Sequence, residues 1–273
     1  MNFEPLSDPL VPSALRLSRQ AGWNQTEEDW RRLCRLRGCG VGVWVDQGEV
    51  RASYSVISYA PGVAWIGMIL VDEAYRGGGL GKKTFESALQ HCERLNCSRI
   101  GLDATHLGEP IYRKYGFQTL CGITRWKGCF GKAKGTAPLR CADGFPKPLL
   151  ILDRLATGVD RHALLEDILH SPGSTLVAAP NGYGLIRAGD HATHFGPIVA
   201  RDLETVRDLF ASAAHLLEGR EVVCDLLDDT GAGEIAEEFG LAPHRALKRM
   251  THPSPFHQLS HRQVIAAAGF ELG

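Results

Sequence analysis

The sequence predicts an α/β (α+β) chain of two tandem domains, each a mixed sheet flanked by helices. Two observations carry this. Apolar residues alternate between short strand-like runs and helix-spaced runs along the whole chain. The order of those runs over 161–241 repeats that of the first 117 residues, after a stretch at 128–148 rich in Gly, Lys, Pro and Ala. A length of 273 residues suffices for two cores. The boundaries fall at 1–135 for the first domain, 136–148 for a linker and 149–273 for the second.

The elements follow in order. Residues 12–20 and 26–36 read as helices, the second opened by Thr26 as N-cap with Asp29 three positions on. Runs 40–45 and 51–59 flank Asp46-Gln47-Gly48 as a hairpin, and 63–71 is a short apolar strand. Phe85, Ala88, Leu89, Cys92 and Leu95 recur at helical spacing over 83–95, and 99–102 is a second buried strand. Pro110 suits a first helical turn and Gly116 a left-handed close, leaving 117–124 as a strand that completes the sheet. In the second half, a helix at 161–170 stops at Ser171-Pro172-Gly173. Strands at 175–179, 183–188 and 194–199 follow, then a helix at 203–217, a strand at 221–226 and a helix ending at Phe239-Gly240-Leu241.

Between the strand at 63–71 and its following helix lies Tyr75-Arg76-Gly77-Gly78-Gly79-Leu80-Gly81-Lys82-Lys83, a loop almost without side chains. Backbone N–H groups at a helix N-terminus, helped by Arg76 and Lys82, suit the oxygens of a diphosphate. A Walker A loop would need glycine where Arg76 stands, and a dinucleotide fingerprint would need glycine at Lys82. The residues do fit Arg-x-x-Gly-x-Gly, through Arg76, Gly79 and Gly81.

That pattern, with Ile111-Tyr112-Arg113-Lys114-Tyr115-Gly116-Phe117 downstream, resembles the GCN5-related N-acetyltransferases, the GNAT superfamily. The stretches Gly22 to Trp30 and Leu102-Asp103-Ala104-Thr105 further resemble a bacterial group that carries a degenerate second GNAT-like domain. The resemblance implies mostly antiparallel sheets and acetyl-CoA as co-substrate. It implies a primary amine as acceptor, attacking directly in a ternary complex. It assigns Ile69, Leu70 and Val71 to the pantetheine, and Arg76, Gly77, Gly78, Gly79, Leu80, Gly81 and Lys82 to the pyrophosphate. Tyr112 would protonate the CoA sulfur, and Tyr115 packs in the core. Trp23 and Asn24 would line the acceptor site, with Trp30 either lining it or in the core. Family members often carry a base within the strand at 63–71, but Trp65 to Val71 holds no carboxylate. Asp72 and Glu73 read as solvated turn residues, so Asp103, His106 or a water chain would serve.

Aligning the halves sets Asp225 against Asp103 and Ala236 against Tyr112, and puts acidic Ala200-Arg201-Asp202-Leu203-Glu204-Thr205 in place of the glycines. The second half thus lacks both cradle and acid. A net charge of -1 gives no general attraction to nucleic acid or to anionic membrane, and the basic stretch 125–140 reads as solvated loop. No leader-like or membrane-spanning run is present, which points to the cytoplasm and to reduced cysteines. The spacing of Cys and His fits no metal site. The expected partner is a small-molecule amine. The second domain either covers the acceptor cleft or builds a homodimer. The competing class is a CoA-binding regulatory or scaffold protein without turnover.

Overall fold

The computed structural model describes residues 1–59, 62–131, 144–253 and 261–273. In the first half, β1 (Asn2–Pro5) precedes helices α1 (Val11–Gln20) and α2 (Glu27–Arg35), then β2 (Cys39–Asp46), β3 (Glu49–Tyr59) and β4 (Val63–Val71). Next come α3 (Leu80–Arg94), β5 (Arg99–Ala104), α4 (Glu109–Arg113) and β6 (Gln118–Cys129). The second half contains α5 (Lys147–Thr157), α6 (His162–His170), β7 (Thr175–Ala179), β8 (Gly182–Arg187) and β9 (Thr193–Ala200). It closes with α7 (Leu203–Leu216), β10 (Glu221–Leu227), α8 (Ala232–Glu238), β11 (Leu241–His252) and β12 (Val264–Ala266).

Thr26 caps α2 in a complete capping box with Asp29, and Gly116 takes φ +84 after α4, as the residue types require. The element pattern α1, α2, hairpin, β4, α3, β5, α4 agrees with the sequence. The sheet does not close as expected. Among the described residues twelve strands form one sheet in the order β1-β2-β3-β4-β5-β11-β6-β10-β12-β9-β8-β7. The strand after Gly116 leaves its own half: β6 pairs with β10 over Glu221–Cys129 to Leu227–Ile123, while β11 of the second half pairs with β5. The two halves have exchanged their last long strands, and β6 and β11 pair antiparallel at the centre.

This exchange corrects the basic stretch. Arg125 lies within β6 and is buried in a bidentate pair with Asp225, not in a solvated loop. Residues 132–143, including most of the proposed linker, lie outside the described residues. The linker's far end, Lys147 and Pro148, opens α5.

Three apolar clusters follow from the topology. One packs α3, through Phe85, Ala88 and Cys92, on β3, β4 and β5 with Met250 of β11. A second packs α7 on β9 and β10. The third is shared: α1 and α2 of the first half meet α5, α6, β8 and the segment 267–272 of the second. Full burial of a side chain such as Leu33 of the shared cluster contributes about 2 kcal/mol, so these shared contacts bind the halves together.

Candidate active site

The glycine loop sits where the sequence places it. A short 3₁₀ turn, Glu73–Tyr75, leads into Gly77 (φ +83) and Gly79 (φ +81), and Gly79 is the N-cap of α3 without any side-chain cap. The first N–H groups of the helix are therefore open to an anion. A Cβ added at Gly77, Gly78 or Gly79 would meet nothing within 4 Å, so the backbone is bare. Ala74, Tyr75, Arg76, Gly78, Gly79, Leu80 and Lys83 line a concavity of about 490 Å³. Arg76 reaches back to the Val71 carbonyl at 3.1 Å. Lys82 points to Glu86 at 3.8 Å and is not in the lining; Lys83, 4.0 Å over the Trp44 ring, takes that place. Asp72 is not solvated: it is 4% exposed and pairs with Arg16 and Arg51.

From the cradle β4 runs back past β5, but the parallel ladder between them covers only Val63 to Ile66 against Arg99 to Leu102. Beyond Ile66 the strands part. The opposite ladder to β3 shifts register between Ser53 and Ser55, and Met68 adopts φ +50, an uncommon backbone for a non-glycine residue. This bulge frees the edge at Ile69, Leu70 and Val71.

Tyr112, on α4, faces that opening. Its ring packs 4.6 Å from Phe85, and its hydroxyl has no hydrogen-bond partner among the described residues. Burial pushes its pKa up to about 12, so it stays protonated at neutral pH. Tyr115 instead donates to Glu86 at 2.8 Å and packs edge-on to Phe85. A cavity of about 90 Å³ joins Tyr112 to Gly67, Met68, Ile69, Asp103 and Trp23 of the first half and to Arg245, Leu247, Phe270 and Glu271 of the second.

An anion cradle and a splayed strand edge thus follow one another along β4, with the half-buried Tyr112 of α4 facing the splay. Family models described as "Acetyltransferase (GNAT) family" and "Acetyltransferase (GNAT) domain" match residues 11–117 and 149–266 respectively. The chain belongs to the GNAT acetyltransferases. It is 27% identical over 270 residues to a holothin acyltransferase of Pseudoalteromonas sp. (strain SANK 73390), covering 92% of this chain and 87% of that one. It is 26% identical to an uncharacterized N-acetyltransferase, YitH, of Bacillus subtilis (strain 168), over 78% of each. Among solved structures, a putative acetyltransferase from Pyrococcus horikoshii superposes with TM-score 0.85 at 19% identity, covering 100% of this chain and 95% of that one. A GCN5-related N-acetyltransferase from Sphaerobacter thermophilus gives TM-score 0.64 at 14% identity, over 95% and 98%.

Within this GNAT chain the expected residues divide. Asp103 lines the cavity, yet both its oxygens accept from Arg249 of β11 at 2.9 Å. Burial raises its pKa and the Arg249 fork opposes the rise. Its repeat partner Asp225 is forked by Arg125 of β6 at 2.7 Å in the same way. Each Asp thus latches the strand received from the other half, which is why the carboxylate persists in both repeats. His106 is exposed on the turn after β5 and is absent from the cavity lining. Asn24 is also turned away. Its side chain donates to Ala192 O and accepts from the amides of His191 and Ala192, pinning its loop to the second half. Trp30 is fully buried and donates to Ser18, a core residue. Trp23 does line the cavity.

In the second repeat the helix N-terminus corresponding to the cradle is closed, because the Asp202 carboxylate accepts from the Thr205 amide at 2.7 Å. Ala236, at the Tyr112 position, is buried. The residues missed from the sequence are Arg245, brought in on the exchanged strand β11, and Phe270 and Glu271, brought in by the segment after β12. Gly67 was the available signal: a glycine inside a strand marks close approach of another backbone.

Proposed function

We propose that this GNAT enzyme transfers an acetyl group from acetyl-CoA to a primary amine by direct attack within a ternary complex. The observation that carries this reading is Tyr112, a protonated, unpartnered hydroxyl at the splay of β4, with an uncapped helix N-terminus at the strand's far end. The amides of the Gly77 to Lys82 loop and Arg76 hold the pyrophosphate. The free edge at Ile69 to Val71 pairs with the pantetheine and sets the thioester beside the cavity. The Ile69 N–H, turned by the bulge, receives negative charge developing on the carbonyl oxygen. Tyr112 gives its proton to the departing thiolate as the amine nitrogen takes its place on the carbonyl carbon. Acetyl-CoA supplies the activated acyl group.

Among the described residues no helix is long and apolar enough to cross a membrane. A cytoplasmic, bacterial setting with a small-molecule acceptor, no nucleic acid and no metal remains our reading. The half-buried Tyr112 at the splay favours catalysis over a purely regulatory CoA-binding role, because an inert binder gains nothing from an acid placed there. The test is thiol release from acetyl-CoA over a panel of primary amines, with both substrates varied. Intersecting initial-rate lines are expected; parallel lines would exclude the ternary complex.

A further inference from the structure

We propose that Glu271, carried by the segment after β12, is the carboxylate that receives the acceptor amine and takes its proton. The proposal rests on the acyl-transfer reading above and supplies the base that β4 lacks. The fit is steric first. At Gly67, midway along β4, an added Cβ would lie 2.5 Å from the Glu271 Cα and 2.7 Å from its Cβ. The segment therefore lies flat on the strand, where a side chain on β4 itself would otherwise stand. It is anchored there by Trp65 Nε1 donating to Phe270 O (3.0 Å), Tyr59 OH to Leu272 O (2.6 Å) and Arg187 to Ala268 O (2.9 Å).

The valence of the carboxylate supports the role. Glu271 is 2% exposed; Oε2 accepts from Gln25 at 2.8 Å, while Oε1 has no hydrogen-bond partner among the described residues. Buried carboxylates with a structural task normally use both oxygens, as Asp103 and Asp225 do in their arginine forks. The charged groups facing Glu271 are Arg187 of β8, 3.9 Å away and already bonded to Asp29 of α2, Asp29 itself, and Arg125 of β6, which is paired with Asp225, with Asp103 and Arg245 across the cavity. Burial raises the pKa of Glu271 above the usual carboxylate range, toward that of a useful base. The N–C bond forms as the thioester C–S bond breaks. Glu271 takes the proton the amine loses, Tyr112 protonates the thiolate, and exchange with water resets both residues.

Arg245 carries a second, independent inference about the other end of the acceptor. Opposite it in the sheet, Arg125 is neutralised by Asp225. Arg245 makes no ion pair among the described residues; its Nε is buried without a partner, and its guanidinium lies 5.4 Å from the Phe270 ring. We infer that the acceptor amine also bears an anionic oxygen group, which Arg245 receives.

One steady-state experiment tests both. Wild type, Glu271→Gln, Glu271→Asp and Arg245→Gln are assayed with matched acceptors: an amino acid and its amide, an aminoalkyl phosphate and its alcohol. Glu271→Gln should lower kcat ~10²–10⁴-fold and remove the acid limb of the kcat–pH profile, with acetyl-CoA binding by calorimetry unchanged; Glu271→Asp should recover part of the rate. Arg245→Gln should raise KM at least about tenfold, one unpaired charge contact, for the anionic member of a pair and not for the neutral one. The pair that responds tells carboxylate from phosphate. Retention of the wild-type kcat and acid limb by Glu271→Gln overturns the first inference, and equal wild-type use of neutral acceptors overturns the second. Wild type that turns over no amine overturns the acyl-transfer reading with them.

Discussion

Gly67→Ala is a one-methyl perturbation whose cost can be worked from the geometry. The new Cβ meets backbone, not the end of a flexible side chain: the Glu271 Cα at 2.5 Å, its Cβ at 2.7 Å and Ser55 Oγ at 3.1 Å. Either β4 or the 267–273 segment must move. Forced overpacking of this kind costs ~1–3 kcal/mol. The segment is held by at least four hydrogen bonds through Gln25, Tyr59, Trp65 and Arg187, each contributing about 1 kcal/mol net, so it should shift and not detach. For a chain of this size 1 kcal/mol corresponds to roughly 2–4 °C, giving an expected Tm loss of about 2–12 °C by calorimetry. A displacement of the carboxylate near 1 Å lowers kcat by up to ~10²-fold, with the KM for acetyl-CoA held. The decisive control repeats the substitution in a chain lacking residues 269–273. There the close backbone contact is gone, so the cost should collapse and the double-mutant cycle should show strong coupling. A variant that melts and turns over like wild type, or a cost undiminished without the segment, would refute the reasoning.

Other expectations follow. Asp103→Asn and Asp225→Asn each leave a buried arginine without its fork, so each should lower unfolding free energy in urea by about 3–5 kcal/mol; a loss of turnover by Asp103→Asn at unchanged stability would make Asp103 a base instead of a latch. His194, buried with Nε2 3.2 Å from Asp225, has its pKa lowered by burial from 6.5 to about 4. The unfolded chain therefore binds the extra proton first, and stability is lost as pH falls from 6.5 toward 4, by about 3 kcal/mol. His194→Gln should flatten the pH-melting profile over that window, and an unchanged slope would reject the assignment. Gly78→Glu adds a carboxylate where a Cβ meets nothing within 4 Å. It should raise the KM for acetyl-CoA at least about tenfold by like-charge repulsion with an unchanged Tm; an unchanged KM would remove the cradle from the site.

The first half was legible because its signals are local. Val63–Val71 matches the expected strand residue for residue, and the α2 cap, the cradle glycines and Pro110 with Gly116 each act within a turn or two. The second half's β7, β8, β9, α7 and β10 follow apolar runs that are equally plain. What was missed is long-range. β11 carries Pro243 and the three cations Arg245, Lys248 and Arg249, with two register shifts in its ladder to β6, so its period is broken. β1 is exposed along its length, and β12 has only three residues. Nothing local says that β6 and β11 trade places, and that exchange is what brings Arg249 to Asp103 and Arg245 to the cavity. Asn24 illustrates the converse: a polar residue in a loop beside the acceptor region reads as a ligand contact, yet its buried amide donates one bond to the second half and accepts two from it.

The measurement that tests the central claim most directly is the steady-state comparison of wild type with Tyr112→Phe, using acetyl-CoA and the best amine found. The substitution removes one unpartnered hydroxyl and keeps the ring against Phe85. The account requires kcat to fall ~10²–10⁴-fold while the KM for acetyl-CoA and the Tm hold. Undiminished kcat in Tyr112→Phe would contradict it, and would place the acid that releases the thiolate elsewhere.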